Sequence, residues 1–124
     1  TNLPSFYGTS DIGVHFSEIQ LGVGRWDPSS GSGRGGIEEY VRQSPLTYAP
    51  RVKTPVLIVH GEDDDRVPIE QGEQFFVALM RLGKEVEFVR LPGSHHGLMR
   101  NANLNMRQDY YERILGWFER HLPS

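Results

Sequence analysis

Thr54-Pro-Val-Leu-Ile-Val-His-Gly-Glu-Asp-Asp-Asp-Arg-Val-Pro68 decides how this chain folds. Val56 to Val59 is an unbroken apolar, β-branched run behind Pro55, the composition of a strand covered on both faces inside a parallel sheet. A loop dense in carboxylates follows, and Pro68 then stands where a helix takes its first turn. Phe75, Phe76, Leu79 and Leu82 recur at helical spacing up to Gly83, which predicts a helix with its apolar face on the sheet. Val86-Glu-Phe-Val-Arg-Leu91 reads as a second strand and runs into Pro92-Gly-Ser-His-His-Gly97. Met106, Tyr110, Tyr111, Ile114, Leu115, Trp117, Phe118 and Leu122 mark the apolar side of a closing amphipathic helix. Strand, helix, strand, helix predicts the α/β class, with parallel strands joined by right-handed crossover helices. Two strands do not hold a sheet by themselves, so an incomplete sheet is expected, the last portion of a larger one. Residues 3 to 8 are the candidate for a further strand.

Upstream of this unit the pattern fades. Residues 1 to 36 are rich in Gly, Ser and aromatics without a sustained period and read as loop. Gly31-Ser-Gly-Arg-Gly-Gly36 reads as a flexible connection, because no strand precedes it and no Walker lysine follows. Ile37 to Gln43 forms a short helix stopped by Ser44-Pro45. At 124 residues the chain is one domain at most. Its net charge of -3 is scattered and contains no basic run to track a phosphate backbone, so nucleic acid is not among the expected partners. Without cysteine there are no disulfides and no thiolate metal sites. No apolar run reaches membrane-spanning length and residues 1 to 6 have no leader-like basic and apolar regions, so no membrane partner is expected; the compartment stays open, with a lean to the cytoplasm. The chain does not begin with Met, and an upstream segment is expected.

A parallel sheet presents its chemistry at the carboxyl ends of its strands. Asp63, Asp64 and Asp65 follow the first strand, and His95 and His96 follow the second, with a helix between. A serine hydrolase needs such a pair, a base to take the hydroxyl proton and an acid to fix the imidazole tautomer and stabilise its cation. The residues alone leave alternatives open. The aspartates also suit a solvated turn that places negative charge at a helix N-terminus. The two histidines also suit a surface pair beside Gly97, and His60 a structural hydrogen bond at the strand end. A metal site from His60, His95, His96 and the aspartates ranks below these, because no His-Glu-x-x-His spacing is present, and no cofactor is expected. No Gly-x-Ser-x-Gly turn occurs: Ser10 has Gly8 before it but Ile12 after, Ser32 lies between Ser30 and Arg34, and Ser94 is too near His96 in sequence to attack beside it. The nucleophile is therefore missing, and with it the backbone N–H that would complete an oxyanion hole.

His60-Gly-Glu-Asp-Asp-Asp-Arg-Val-Pro68, Glu70-Gln-Gly-Glu-Gln-Phe75, Leu91 to Gly97 and Ile114-Leu-Gly-Trp-Phe118 resemble the prolyl oligopeptidase family of serine peptidases, with the nearest likeness to its acylaminoacyl-peptidase-like branch. Ser5 to Gly13 and Ser44 to Tyr48 resemble further segments of that branch. The resemblance implies an α/β-hydrolase fold in which residues 1–124 are the C-terminal part of one catalytic domain. The nucleophile-bearing N-terminal part, and a β-propeller before it, would be separate from these residues. It places the triad acid on Asp64 and the base on His96, and gives Arg66 the task of holding the Asp64 loop, or of pairing with a neighbouring aspartate. It also sets residues 6 to 26 near the substrate, so that Tyr7, Phe16 and Trp26 either line an apolar specificity site or serve as ordinary anchoring aromatics. The implied activity is hydrolysis of short peptides or acyl-peptides by Ser-His-Asp acyl transfer. Carboxylester hydrolysis on the same scaffold is the alternative, since the triad does not separate esters from amides. A different class is a non-catalytic fragment that docks on a partner chain through its exposed apolar edge, and self-association into a homo-oligomer stays open.

Overall fold

The structure is a computed structural model that describes residues 1–29 and 33–122. β1 (Val56–Gly61) and β2 (Val86–Leu91) pair in parallel, from Val56 opposite Val86 to Gly61 opposite Leu91. Helix α4 (Glu70–Arg81) connects them and buries Leu79 completely, while Phe76 packs on Phe88 with ring centroids 5.6 Å apart. It begins two residues after Pro68, whose carbonyl accepts the Gln71 N–H. Leu82, counted in its apolar face, is exposed because the helix has ended one residue earlier. After β2 comes a short helix that the periodicity did not signal, α5 (Leu98–Asn101), and then the long α6 (Leu104–His121), capped by Asn103 accepting the Met106 N–H at 3.0 Å.

This unit is the anticipated α/β arrangement with an incomplete sheet. β1 is half-buried along its apolar run rather than covered on both faces, and β2 is its only strand neighbour among the described residues. Tyr110, Ile114, Trp117 and Phe118 of α6 bound a space of about 500 Å³ with Pro55, Val56, Leu57 and Val59. Trp117 is buried, but Tyr111, Leu115, Phe118 and Leu122, assigned to the same apolar side, stand exposed. The apolar side of α6 is thus wider than the surface β1 and β2 offer it.

The N-terminal region corrects two expectations. Residues 3 to 8 are not a strand and the segment up to residue 29 is not merely loop, for α1 (Leu3–Thr9) and α2 (Gly13–Leu21) pack together here. Neither helix advertises itself by an apolar stripe. Val14, Phe16, Ile19 and Leu21 are spread around α2, and α1 buries Phe6 against Phe16 while polar contacts tie down its N-terminal end. Asn2 caps α1, and the buried Gln71 side chain binds the Asn2 backbone both ways, accepting its N–H at 2.7 Å and donating to its carbonyl at 3.1 Å. Ser5 and Thr9 donate to Glu70 at 2.9 and 3.0 Å. Burial alone would push the Glu70 carboxyl up, but hydrogen bonds from Gln71, Ser5, Thr9 and Gln74 outweigh it and hold it below the ordinary value.

The expected short helix is α3 (Gly36–Gln43), followed by a 3-10 helix over Pro45–Arg51 that packs on α4. Tyr40 is fully buried with its hydroxyl donated to the Val23 carbonyl at 3.2 Å, and burial pushes its phenol up to about 12. Gly31 and Ser32, read as part of a flexible connection, lie outside the described residues. Among the described residues no helix is long and apolar enough to cross a membrane.

Candidate active site

The loops after β1 and β2 are stitched to each other where the strands end. Glu62 N–H donates to the Leu91 carbonyl at 3.0 Å, Asp63 N–H to the Ser94 carbonyl at 3.1 Å, and His95 Nδ1–H to the Asp63 carbonyl at 2.6 Å. Gly61 permits this approach, since a Cβ there would lie 2.2 Å from the Ser94 carbonyl oxygen. Ser94 is buried, with its hydroxyl 3.6 Å from Met106 Sδ, and serves the loop. The stitching brings Asp64 and His96 face to face, with Nδ1 of His96 3.0 Å from Oδ2 of Asp64.

Asp64 is buried, 6% exposed at its side chain, and both oxygens are engaged. Oδ1 accepts the Val67 N–H at 2.8 Å and Oδ2 meets His96. His60, in β1, donates from Nε2 to the Val67 carbonyl at 2.7 Å, the strand-end hydrogen bond expected for it. The outside of the same loop is clamped by the turn after α1. Arg66 is bidentate on Asp11 at 2.8 and 3.1 Å, Asp11 N–H donates to the Asp65 carbonyl at 3.0 Å, and the Ser10 hydroxyl to the Arg66 carbonyl at 2.7 Å. Arg66 therefore holds the loop, but through an aspartate far upstream rather than a neighbouring one. Its hydrogen bond lowers the Asp11 carboxyl from its ordinary value and raises the guanidinium in turn.

His96 is the open member of the pair, with 58% of its side chain exposed. Because a carboxylate only accepts, its Nδ1 carries a proton, and in the neutral tautomer so fixed the lone pair is on Nε2. Among the described residues nothing hydrogen-bonds that Nε2. The ring borders two cavities. One, of about 380 Å³, is lined by Leu3, Phe6, Ile12, Phe16, Val67 and Arg66 besides His96. The other, of about 240 Å³, lies along Val59, Gly61, Asp64, Leu98, Met99 and Tyr110.

Of the three aromatics read as a specificity wall, only Phe16 lines the cavity beside His96. Tyr7 packs edge-on against Tyr40 at 5.7 Å and donates its hydroxyl to Glu18 at 2.9 Å. Trp26 is 75% exposed, under the Arg25 guanidinium at 4.6 Å. Among the described residues no three histidine, aspartate or glutamate side chains converge as a metal-ligand set. The reading of the residues missed Ser10 and Asp11, for which no local signal existed, and Gly61, for which one did: a glycine closing an otherwise apolar strand marks a close backbone approach.

A sequence profile of the prolyl oligopeptidase family matches residues 6–124. The chain is 43% identical to peptidase YuxL of Bacillus subtilis (strain 168) across 98% of its own length and 17% of that protein. It is 35% identical to the acylamino-acid-releasing enzyme of Mus musculus across 71% of its length and 12% of that protein. Among solved structures, the acylaminoacyl peptidase of Pyrococcus horikoshii superposes with a TM-score of 0.81 at 31% identity, covering 98% of this chain and 18% of that one. The chain thus spans less than a fifth of each of these three proteins.

Proposed function

The chain belongs to the prolyl oligopeptidase family, and from that membership we propose that residues 1–124 form the C-terminal part of a serine-peptidase catalytic domain in which Asp64 is the triad acid and His96 the base. The observation that carries the reading is the 3.0 Å contact between His96 Nδ1 and the buried Asp64 carboxylate, with the imidazole bordering two cavities. The serine comes from polypeptide outside these residues. That polypeptide includes the N-terminal part of the α/β-hydrolase domain, seated along the free edge of β1 and the exposed side of α6, and a β-propeller.

In this arrangement Nε2 removes the serine hydroxyl proton as the oxygen attacks the substrate carbonyl. The resulting imidazolium is stabilised by Asp64, which itself stays ionised. The proton then passes to the leaving amine, and water repeats the sequence to release the acyl group and restore the serine. An oxyanion hole for the tetrahedral intermediate is supplied from outside residues 1–124. The substrates are short peptides or acyl-peptides, and the cavity beside His96, walled by Phe6, Ile12 and Phe16, receives an apolar side chain next to the scissile bond.

Fluorophosphonate labelling of the full-length polypeptide, with His96→Ala alongside, tests this. The expected adduct lies on a serine outside residues 1–124, with label and acyl-peptide turnover both lost in His96→Ala. An adduct within residues 1–124, or full turnover in His96→Ala, overturns the reading. Rates on matched ester and acyl-peptide substrates assign the bond class.

A further inference from the structure

We propose that His60 is a positioning residue for the Asp64 carboxylate, acting through Val67; the inference rests on the reading of Asp64 and His96 as acid and base. His60 is the next-to-last residue of β1, and its side chain is 12% exposed. Its Nε2 lies 2.7 Å from the Val67 carbonyl oxygen. A carbonyl only accepts, so the ring holds its proton on Nε2, and the same N–H sits 3.6 Å from Asp64 Oδ2.

Val67 is thereby held on both sides. His60 fixes its carbonyl, and its N–H donates to Asp64 Oδ1 at 2.8 Å, which sets the rotation of the carboxyl and turns Oδ2 towards His96 Nδ1 at 3.0 Å. The backbone N–H groups of the following turn go to the carbonyls of Pro68 and Ile69, so the Val67 carbonyl takes its donor from the His60 side chain. The ring is also confined. A Cβ on Gly72 of α4 would come within 2.8 Å of His60 Nδ1 and 3.2 Å of Phe88, so helix and strand close over it. A rigid side chain with one donor at its far end, seated between α4 and β2, fixes the Asp64 torsion during the step in which His96 becomes a cation.

The test uses the full-length polypeptide and three variants. His60→Phe keeps a ring without a donor, His60→Gln keeps an N–H at similar reach, and His60→Asn places its donor one methylene short. Expected is a fall in kcat of about 10- to 100-fold in His60→Phe and His60→Asn with KM nearly unchanged, and recovery to within about threefold in His60→Gln. The acid limb of the pH–rate profile moves to lower pH in the two weak variants, because a misdirected carboxylate stabilises the imidazolium less. Thermal melting reports whether each variant folds. Parental kcat in His60→Phe, or a folded His60→Gln as slow as His60→Asn, overturns the proposal. If His60→Phe does not fold, the comparison of Gln with Asn decides it alone. Full turnover in a parallel His96→Ala sample would instead overturn the acid and base assignment on which the proposal rests.

Discussion

The loops after β1 and β2 hold their key side chains in opposite ways. Asp64 is buried and braced from two directions, by His60 and Val67 on the inside and by Ser10, Asp11 and Arg66 on the outside. His96 is mostly exposed and held on one nitrogen, by Asp64 itself. Asp64 is therefore built into the fold, whereas His96 takes its orientation from Asp64 and leaves its other nitrogen open. On the proposed reading, such a division leaves the exposed imidazole facing the polypeptide that supplies the serine.

The sharpest way to break this contrast is to neutralise Asp64 without moving it. In the full-length polypeptide, Asp64→Asn keeps an acceptor for the Val67 N–H but leaves His96 the wrong tautomer, so acyl-peptide turnover should fall by about 10⁴-fold while the melting temperature changes little. Turnover within tenfold of the parent would mean that His96 is oriented by something other than Asp64. Gly61→Ala attacks the stitch between the loops. With a Cβ 2.2 Å from the Ser94 carbonyl oxygen, the strand ends must part, at about 3 kcal/mol by urea denaturation and with loss of activity. An unchanged denaturation midpoint would show that the two loops are less tightly joined than the hydrogen bonds indicate.

A smaller effect is expected from the outer clamp. Asp11 and Arg66 are each nearly half exposed, so a double-mutant cycle of Asp11→Ala with Arg66→Ala should give a coupling of about 0.2–1 kcal/mol. A coupling well above that range would place the rigidity of the acid loop mainly on this pair.

The smallest effect comes from a histidine that inverts the situation of His96. His121 stacks on Trp117 and is held on both nitrogens, by Glu85 at 2.8 Å and by the Trp117 carbonyl at 2.8 Å. Both acceptors favour the imidazolium, and the hydrogen bond to Glu85 raises its pKa most, from an ordinary 6.5. A raised folded value contributes stability that is fully present below the unfolded value and is lost as pH rises through the folded one. The melting temperature should therefore decline slightly from pH 6 to 8, and Glu85→Gln should flatten that slope. Glu39, drawn down to about 2 by hydrogen bonds from Arg42 and then Gln43, titrates far below this window and leaves the comparison clean.

How much of this was legible in the sequence follows the kind of force at work. β1, α4, β2 and α6 carry apolar residues at strand or helix period, and burial of those residues holds them together, so they could be read directly. Asp63 to Asp65 and the pair His95 and His96 drew notice because strand ends of a parallel sheet are where side chains converge, and it was the family resemblance that narrowed them to Asp64 and His96. α1 and α2 were missed because a single buried aromatic contact, Phe6 on Phe16, and hydrogen bonds to Gln71, Glu70 and the Asp64 loop attach this region, and such pairings between distant residues leave no periodic trace. The partner of Arg66 was misread for the same reason: three neighbouring aspartates were available, yet the ion pair formed with Asp11 across 55 residues. Trp26 shows the limit of aromatic composition as a guide, since it stands on the surface while Phe16 reaches the cavity.

The seam between Asn2 and Gln71 has a consequence for the order of assembly. It joins residues 69 apart, while the β1–α4–β2 unit closes over much shorter spans. Loop-closure entropy rises with that span, and non-local polar contacts are rewarded only after the surface that receives them exists. The parallel pair with its two packed helices is therefore expected to form first, with residues 1–11 docking onto it afterwards. On refolding, the amides bonded between the two strands should gain protection from exchange before the Asp11 amide does, and the candidate acid would reach its final setting only with that closing event.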